Sequence, residues 1–250
     1  MYSFKRIKPL IIFMKNLKLS LPTLSVRLYA YLFLAAFSVL SLGACKNKEQ
    51  PVVNISNIRI INVSPTGATF NAYLNEKKAN AAALPFSGAT GYLQAEPGTY
   101  AVKLTTSTDV QSLLTKTVAI SKDIAYSFYV VDRAPNLDGL LIVDDMSMAT
   151  LDKTFVKFIN LSVDAPALDL KIKDGASITT GKAYKASSTF TGMEAKTYTF
   201  EVKDATTGVV KATLTDVNLA AGRFYTIVAK GLLTPGNNEQ AFGVQAYINQ

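Results

Sequence analysis

Sliding the 250-residue chain along itself by 98 positions brings Ile60-Ile61-Asn62-Val63-Ser64 onto Phe158-Ile159-Asn160-Leu161-Ser162. The same offset places Phe70-Asn71-Ala72-Tyr73-Leu74 on Leu168-Asp169-Leu170-Lys171-Ile172 and Thr99-Tyr100-Ala101-Val102 on Thr197-Tyr198-Thr199-Phe200. One inserted residue later, Val118, Ile120, Tyr126 and Phe128 meet Val217, Leu219, Tyr225 and Ile227. A single register that keeps apolar character at each step is the mark of a duplicated structural unit. It predicts two modules, residues 51–148 and 153–250, each long enough to bury a core of its own.

Within each module the apolar period is two. Ala68, Phe70, Ala72 and Leu74 alternate with Thr69, Asn71 and Tyr73, and Tyr198, Phe200 and Val202 alternate with Thr197, Thr199, Glu201 and Lys203. Alternation of this kind describes antiparallel strands with one face on a core and the other on water. Turn signals at Ser64-Pro65-Thr66-Gly67, Glu96-Pro97-Gly98, Lys173-Asp174-Gly175, Thr207-Gly208 and Ala221-Gly222 separate the strands. About seven strands per module fit two tandem immunoglobulin-like antiparallel β-sandwiches, an all-β fold. Past the N-terminal leader, Ser107 to Leu114 is the best short helix candidate. Phe70, Tyr100, Val102 and Phe128 form the expected core of the first module, and Leu168, Tyr198, Phe200 and Ile227 that of the second. Only the short joint Met146–Asp152 is expected to connect them, so independent unfolding is the expectation.

The leader reads differently from the body. Residues 1–44 hold six basic side chains and no acidic one, whereas the remainder carries 20 basic and 18 acidic residues. The formal charge of +8 therefore belongs mostly to the leader, and a nucleic-acid partner is not expected for the body. The apolar run from Leu28 to Leu42 is fifteen residues long and reaches about 22 Å as a helix, short of the roughly 30 Å hydrocarbon core of a bilayer. It fits the apolar region of a secretory signal, and Met14 opens such a leader at ordinary length. The segment Leu42-Gly43-Ala44-Cys45 resembles the lipobox of bacterial lipoproteins and uses the only cysteine of the chain. The resemblance implies cleavage before Cys45, acylation of its thiol, and attachment to the outer membrane through an N-terminal lipid. Residues 45–50 then form a polar tether ending at Pro51.

The body carries a second resemblance. A strand ending in Asn and Ser, the run Asp164-Ala165-Pro166-Ala167-Leu168-Asp169-Leu170 leading into the next strand, the Gly98-Thr99-Tyr100 start, and the closing Ala220-Ala221-Gly222-Arg223-Phe224-Tyr225-Thr226-Ile227 are similar to a bacterial family. The chain resembles two tandem copies of the domain-of-unknown-function family 4397, found in secreted and lipid-anchored envelope proteins. The first copy departs from the pattern at Thr66-Gly67-Ala68, where the second has Asp164-Ala165-Pro166, and at Asp123, where the second has Gly222. The family implies a fold and a location and supplies no catalytic residues.

Composition narrows the chemistry. With no histidine, the chain lacks imidazole metal ligands and any Ser-His or Cys-His pair, and one cysteine allows no thiolate cluster. No metal, cofactor or catalytic residue is expected. Gly175 to Ala183 looks superficially like a phosphate loop, but five residues separate Gly175 from Gly181 and Ala183 stands where a hydroxyl would bind magnesium, so a hairpin loop is expected. Asp144 and Asp145 are adjacent on a strand extension and should point to opposite faces. Asp164 and Asp169 fit the turn role of accepting backbone N–H groups, and Asn62 and Asn160 that of closing the turns after their strands. Phe86, Tyr92, Tyr184 and Phe190 either plug the open sandwich ends or offer stacking platforms. Tyr73 and Tyr129 are expected to present exposed rings. Tyr73, Tyr129, Tyr92 and Phe190 are thus the candidate binding surface, for a protein or glycan partner. The expected role is a non-enzymatic envelope binding or structural module. The alternative is a fimbrial or adhesin subunit assembling by strand exchange, with Arg59 either a site for an Arg-specific cut or an outward-facing strand charge.

Overall fold

The computed structural model describes residues 54–249, so the leader, Cys45 and the tether lie outside the described residues. The first half holds β1 (Ser56–Asn62), β2 (Phe70–Leu74), β3 (Lys77–Lys78), β4 (Leu93–Ala95), β5 (Gly98–Thr106), β6 (Leu114–Ile120), β7 (Ala125–Val131) and β8 (Asp138–Val143). The second half repeats the series as β9 (Lys153–Asn160), β10 (Leu168–Ile172), β11 (Ser177–Lys182), β12 (Thr191–Glu194), β13 (Thr197–Asp204), β14 (Val210–Asn218), β15 (Phe224–Lys230) and β16 (Gly243–Ile248). The sheets are β4-β1-β7-β8 and β3-β2-β5-β6 in the first sandwich, and β12-β9-β15-β16 and β11-β10-β13-β14 in the second. Every strand of one half has its counterpart in the other at the same sheet position.

Each sandwich has eight strands rather than about seven, and one pairing in each is parallel. β1 runs parallel to β7, with Ile58 opposite Tyr126, and β9 runs parallel to β15, with Val156 opposite Tyr225. No helix forms among the described residues. The helix candidate 107–114 is a loop in which Thr106 Oγ1 accepts from Asp109 N and Asp109 Oδ1 accepts from Gln111 N, both at 2.9 Å, so local side-chain bonds replace helical ones. Gly175 lies in the β10–β11 hairpin turn, as the spacing predicts.

The expected cores form within each sandwich. Ile58, Ile60, Phe70, Val102, Leu104 and Phe128 are buried together in the first, and Val156, Phe158, Leu168, Phe200, Val202 and Ile227 in the second. The expectation of one wet face per strand fails for the central strands. β15 is buried along its whole length, β1 at all but Asn57, β7 at all but Ala125, and β9 at all but Lys153. Even-numbered residues of β1 and β7 face their own core. The odd-numbered Ile61, Val63, Tyr129 and Val131 meet Ile159, Leu161, Val228 and Tyr247 of the second sandwich in a third core. Four sheets therefore stack in four layers, with the two parallel-pair sheets innermost. Residues 53–250 make one compact unit, which corrects the picture of two modules tied only by a short joint.

Candidate functional site

The innermost layers also bury polar groups, and these follow the repeat. Strand alternation aims Arg59 of β1 and Ser127 of β7 at the seam between the sandwiches. It does the same for Lys157 of β9 and Thr226 of β15. Asp144 and Asn249 occupy equivalent places one residue beyond β8 and β16, their N–H groups donating to Ala125 O and Phe224 O at 2.8 Å each.

The hydrogen bonds repeat the same symmetry. Ser127 Oγ donates to Asp144 Oδ2 at 2.6 Å, and Thr226 Oγ1 donates to Asn249 Oδ1 at 2.7 Å. Arg59 Nη1 crosses to Ile248 O at 2.6 Å, and Lys157 Nζ crosses the other way to Val143 O at 3.2 Å. Reciprocal contacts of this kind are the signature of a two-fold interface, here formed inside one chain.

The charges break the symmetry. Lys157 Nζ donates to Asp144 Oδ1 at 2.5 Å, while Asp144 Oδ2 also accepts from Tyr92 OH at 2.6 Å. Arg59 Nε donates to Ser127 Oγ at 2.8 Å, and its guanidinium carbon lies 4.9 Å from the Tyr92 ring centroid. The seam thus holds two cations against one carboxylate, because the equivalent of Asp144 is a neutral amide. Burial pushes the Lys157 ammonium below its ordinary pKa, against the opposing pull of the Asp144 charge. Burial, then the Asp144 charge, drives the Tyr92 phenol well above its ordinary range, so it remains a donor.

A second polar cluster joins the sandwiches at the other end of the strands. Tyr184 OH donates to Asp132 Oδ1, and Lys185 Nζ bridges Asp132 Oδ2 and Asp138 Oδ2 at 2.9 Å each. Lys116 Nζ reaches Asp138 Oδ1 at 2.6 Å. Across the pseudo-two-fold, Lys230 lies 4.2 Å from the Phe86 ring centroid. Asp132 holds a left-handed φ of 61° where its repeat partner is Gly231 at 78°. Its carboxylate gains Tyr184 and Lys185 in exchange for that backbone cost. Phe86 and Tyr184 serve the joint between sandwiches rather than plugging either one.

The candidate ring set is divided by the fold. Tyr129, expected to be exposed, is fully buried in the third core, because β7 is covered on both faces, and its OH has no protein hydrogen-bond partner. Phe190 is 6% exposed and packs edge-to-face on Phe224 at 5.0 Å, with Lys157 Nζ 4.7 Å from its centroid. Neither ring can offer a binding surface. Tyr92 is half-buried and bonded to Asp144. Tyr73 is half-buried on the outer face of β2, with Lys103 Nζ 5.1 Å from its ring centroid. Arg59, expected to face outward, is 4% exposed at the middle of β1, which places it beyond the reach of a protease in the folded chain.

The remaining carboxylates have structural partners. Asp144 is buried and Asp145 exposed, on opposite faces as expected. Asp164 accepts from Leu233 N and Thr234 N at 2.9 Å each, and Asp169 from Gly181 N at 2.7 Å. Asn62 Oδ1 and Asn160 Oδ1 accept from Ser64 N and Ser162 N at 3.1 Å, closing the turns after β1 and β9. An open groove of about 430 Å³ lies between the short edge strands β3 and β4, lined by Leu74, Lys77, Leu93, Glu96 and Tyr100. Tyr100 OH there donates to Glu96 O at 2.9 Å. A sequence signal for the seam is present only in β7 and β15, AYSFYVV and FYTIVAK, near-continuous apolar runs of the kind that strands covered on both faces carry, whereas the polar and charged residues of β1 and β9, Arg59 and Lys157 among them, hide it.

Residues 56–171 match the family model described as Domain of unknown function (DUF4397), a span that covers the first sandwich and runs into β10. No curated protein is significantly similar to the chain. Among solved structures, the Bacillus anthracis TIE protein is 13% identical, with 78% of this chain and 44% of that chain covered at a TM-score of 0.24. The chain thus spans less than half the length of that structure. A family CBM26 module from Eubacterium rectale Amy13K, solved in complex with maltoheptaose, is 11% identical over 78% of this chain and 97% of its own, at 0.24. Family 41 carbohydrate-binding modules from streptococcal virulence factors are 8% identical over 64% and 88%, at 0.22.

Proposed function

We propose that the protein is a non-enzymatic, lipid-anchored component of the outer membrane, in which two β-sandwiches locked into one body present their outer faces to an envelope component, a glycan or a host protein. The observation that carries this reading is the use made of the reactive side chains. Catalysis needs acid, base or nucleophile to converge on a space that a substrate can enter. Here Asp144, Lys157, Arg59 and Tyr92 converge on one another inside the seam, with Lys157 and Asp144 at 2% and 0% side-chain exposure. Their charges hold the two sandwiches in register.

The anchor rests on Leu42-Gly43-Ala44-Cys45 at the end of the apolar run. Several acyl chains on one N-terminus, at about 0.8 kcal/mol per buried methylene, make attachment effectively permanent. Tyr73 is the member of the candidate ring set that lies on an outer sheet face, and it is the first residue to test for binding.

Cells fed an alkyne fatty acid should label the wild-type chain and leave Cys45→Ser unlabelled; label persisting in the variant overturns the anchor. A pull-down from outer-membrane extract with the full chain as bait should retain a component that Tyr73→Ala loses. Turnover of envelope glycans by the purified protein would overturn the non-enzymatic reading.

A further inference from the structure

We propose that the end of the body at which the chain enters β1 docks on the bilayer, inserting the apolar residues of the β8–β9 connection; this rests on the lipid anchor argued above. β1, β7, β9 and β15 begin at this end, and β8 and β16 finish there. Ile55 O accepts from Asp123 N at 3.2 Å, and an open depression of about 680 Å³ is lined by Ile55, Ile124, Val143 and Met146 together with Asp123 and Asp145. The same end exposes large apolar side chains: Val143 is 49% exposed, Met148 57%, Ile248 61% and Leu151 93%. Leu151 belongs to this end because it lies over Gly222, whose N–H donates to Lys153 O at 2.7 Å.

Single exposed apolar residues are ordinary, and four on one end are a surface. What selects a bilayer as the occupant is the length of chain before it. Eight residues separate Cys45 from Asn54, and the nine Cα–Cα steps between the two span at most about 30 Å fully extended, so an acylated Cys45 keeps this end close to the headgroups. The opposite end, a nine-residue strand away, exposes apolar side chains as well, Val110 at 88%, Val209 at 55% and Val210 at 42%, so it is the short connection to Cys45 that singles out the end at which β1 begins. Cations are not in excess at the docking end: Lys122, Lys153 and Arg223 meet Asp123, Asp145 and Asp152, and the neighbouring Lys196 is paired with Glu194. The attachment is therefore apolar, and salt should not reverse it.

The chain contains no tryptophan, so one introduced indole is a clean reporter. Full-length acylated Leu151→Trp and Met148→Trp, each reconstituted in phosphatidylcholine vesicles carrying brominated acyl chains, should lose most of their emission, at low and high salt alike. Val110→Trp should keep its emission. Acylated protein whose Leu151→Trp and Met148→Trp emission is unquenched overturns the docking while the anchor stands. Absence of acyl chains on Cys45 overturns both. Equal quenching at positions 110 and 151 overturns the orientation, and a doubled mass in detergent with an unquenched, shielded indole at 151 means that a second copy covers this end.

Discussion

The ammonium of Lys157 in the second sandwich lies 2.5 Å from the carboxylate of Asp144 in the first, and both side chains are sealed from solvent. Lys157 lies on β9 and Asp144 one residue beyond β8, two strands that never pair, and their contact fixes one half of the molecule against the other. Removing one partner of such a pair costs far more than removing both, because the survivor keeps its desolvation penalty.

The two partners should not cost the same. Asp144→Asn leaves Arg59 and Lys157 together without a counter-charge and should destabilise by about 3–5 kcal/mol. Lys157→Met leaves Asp144 with Tyr92, Ser127 and the nearby Arg59, and should cost less. Urea unfolding of both variants and of the double variant decides it, and equal losses would mean that Arg59 does not share the Asp144 charge.

The shared third core predicts one cooperative transition for the whole body. Phe200→Ala, fully buried in the second sandwich, should cost about 3–5 kcal/mol through the cavity it leaves. Calorimetry should show the entire endotherm moving down together. A first-sandwich transition left at its wild-type temperature would mean that the seam is weaker than its burial suggests.

Tyr129 is a removable cost. Its hydroxyl is buried without a protein partner, so Tyr129→Phe should stabilise by about 1 kcal/mol, measured as a higher urea midpoint at unchanged slope. A loss of that size instead would show that the hydroxyl does find a partner.

Acid should loosen the polar cluster of Asp132, Asp138 and Lys185. Burial alone would raise the Asp138 pKa, but the hydrogen bonds from Lys116 and Lys185 outweigh it and hold the carboxyl well below the usual carboxylate range. A depressed folded pKa means that the unfolded chain binds more protons. The contribution is full above the unfolded value of about 3.9 and is lost as pH falls through the folded one. Between pH 5 and pH 2 the wild-type midpoint should fall more steeply than that of Asp138→Asn.

Much of the architecture was legible because it is written in local terms. The period of two at Phe70 to Leu74 and Tyr198 to Val202 and the turn residues are short-range signals that produced the strands and turns they implied, and the offset repeat carries them from one half to the other. The turn roles of Asn62 and Asn160 were legible for the same reason, since each side chain bonds a backbone two residues away. The site was not. Tyr129 alternates with Phe128 and Val130 as a solvent-facing residue would, and only the arrival of Ile159 and Val228 from the other sandwich makes its position interior.

By itself, the sequence determined that the body is two copies of one β-sandwich, with the cores around Phe128 and Ile227, and that imidazole and thiolate-cluster chemistry has no residues to use. Whether those copies stand apart or together was decided by tertiary structure. Alternation along a strand states which residues share a face and is silent about what covers that face. Arg59 and Lys157 read as solvated charges until the second sheet excluded water from them, and Asp144 became their counter-charge only through contacts made across the seam.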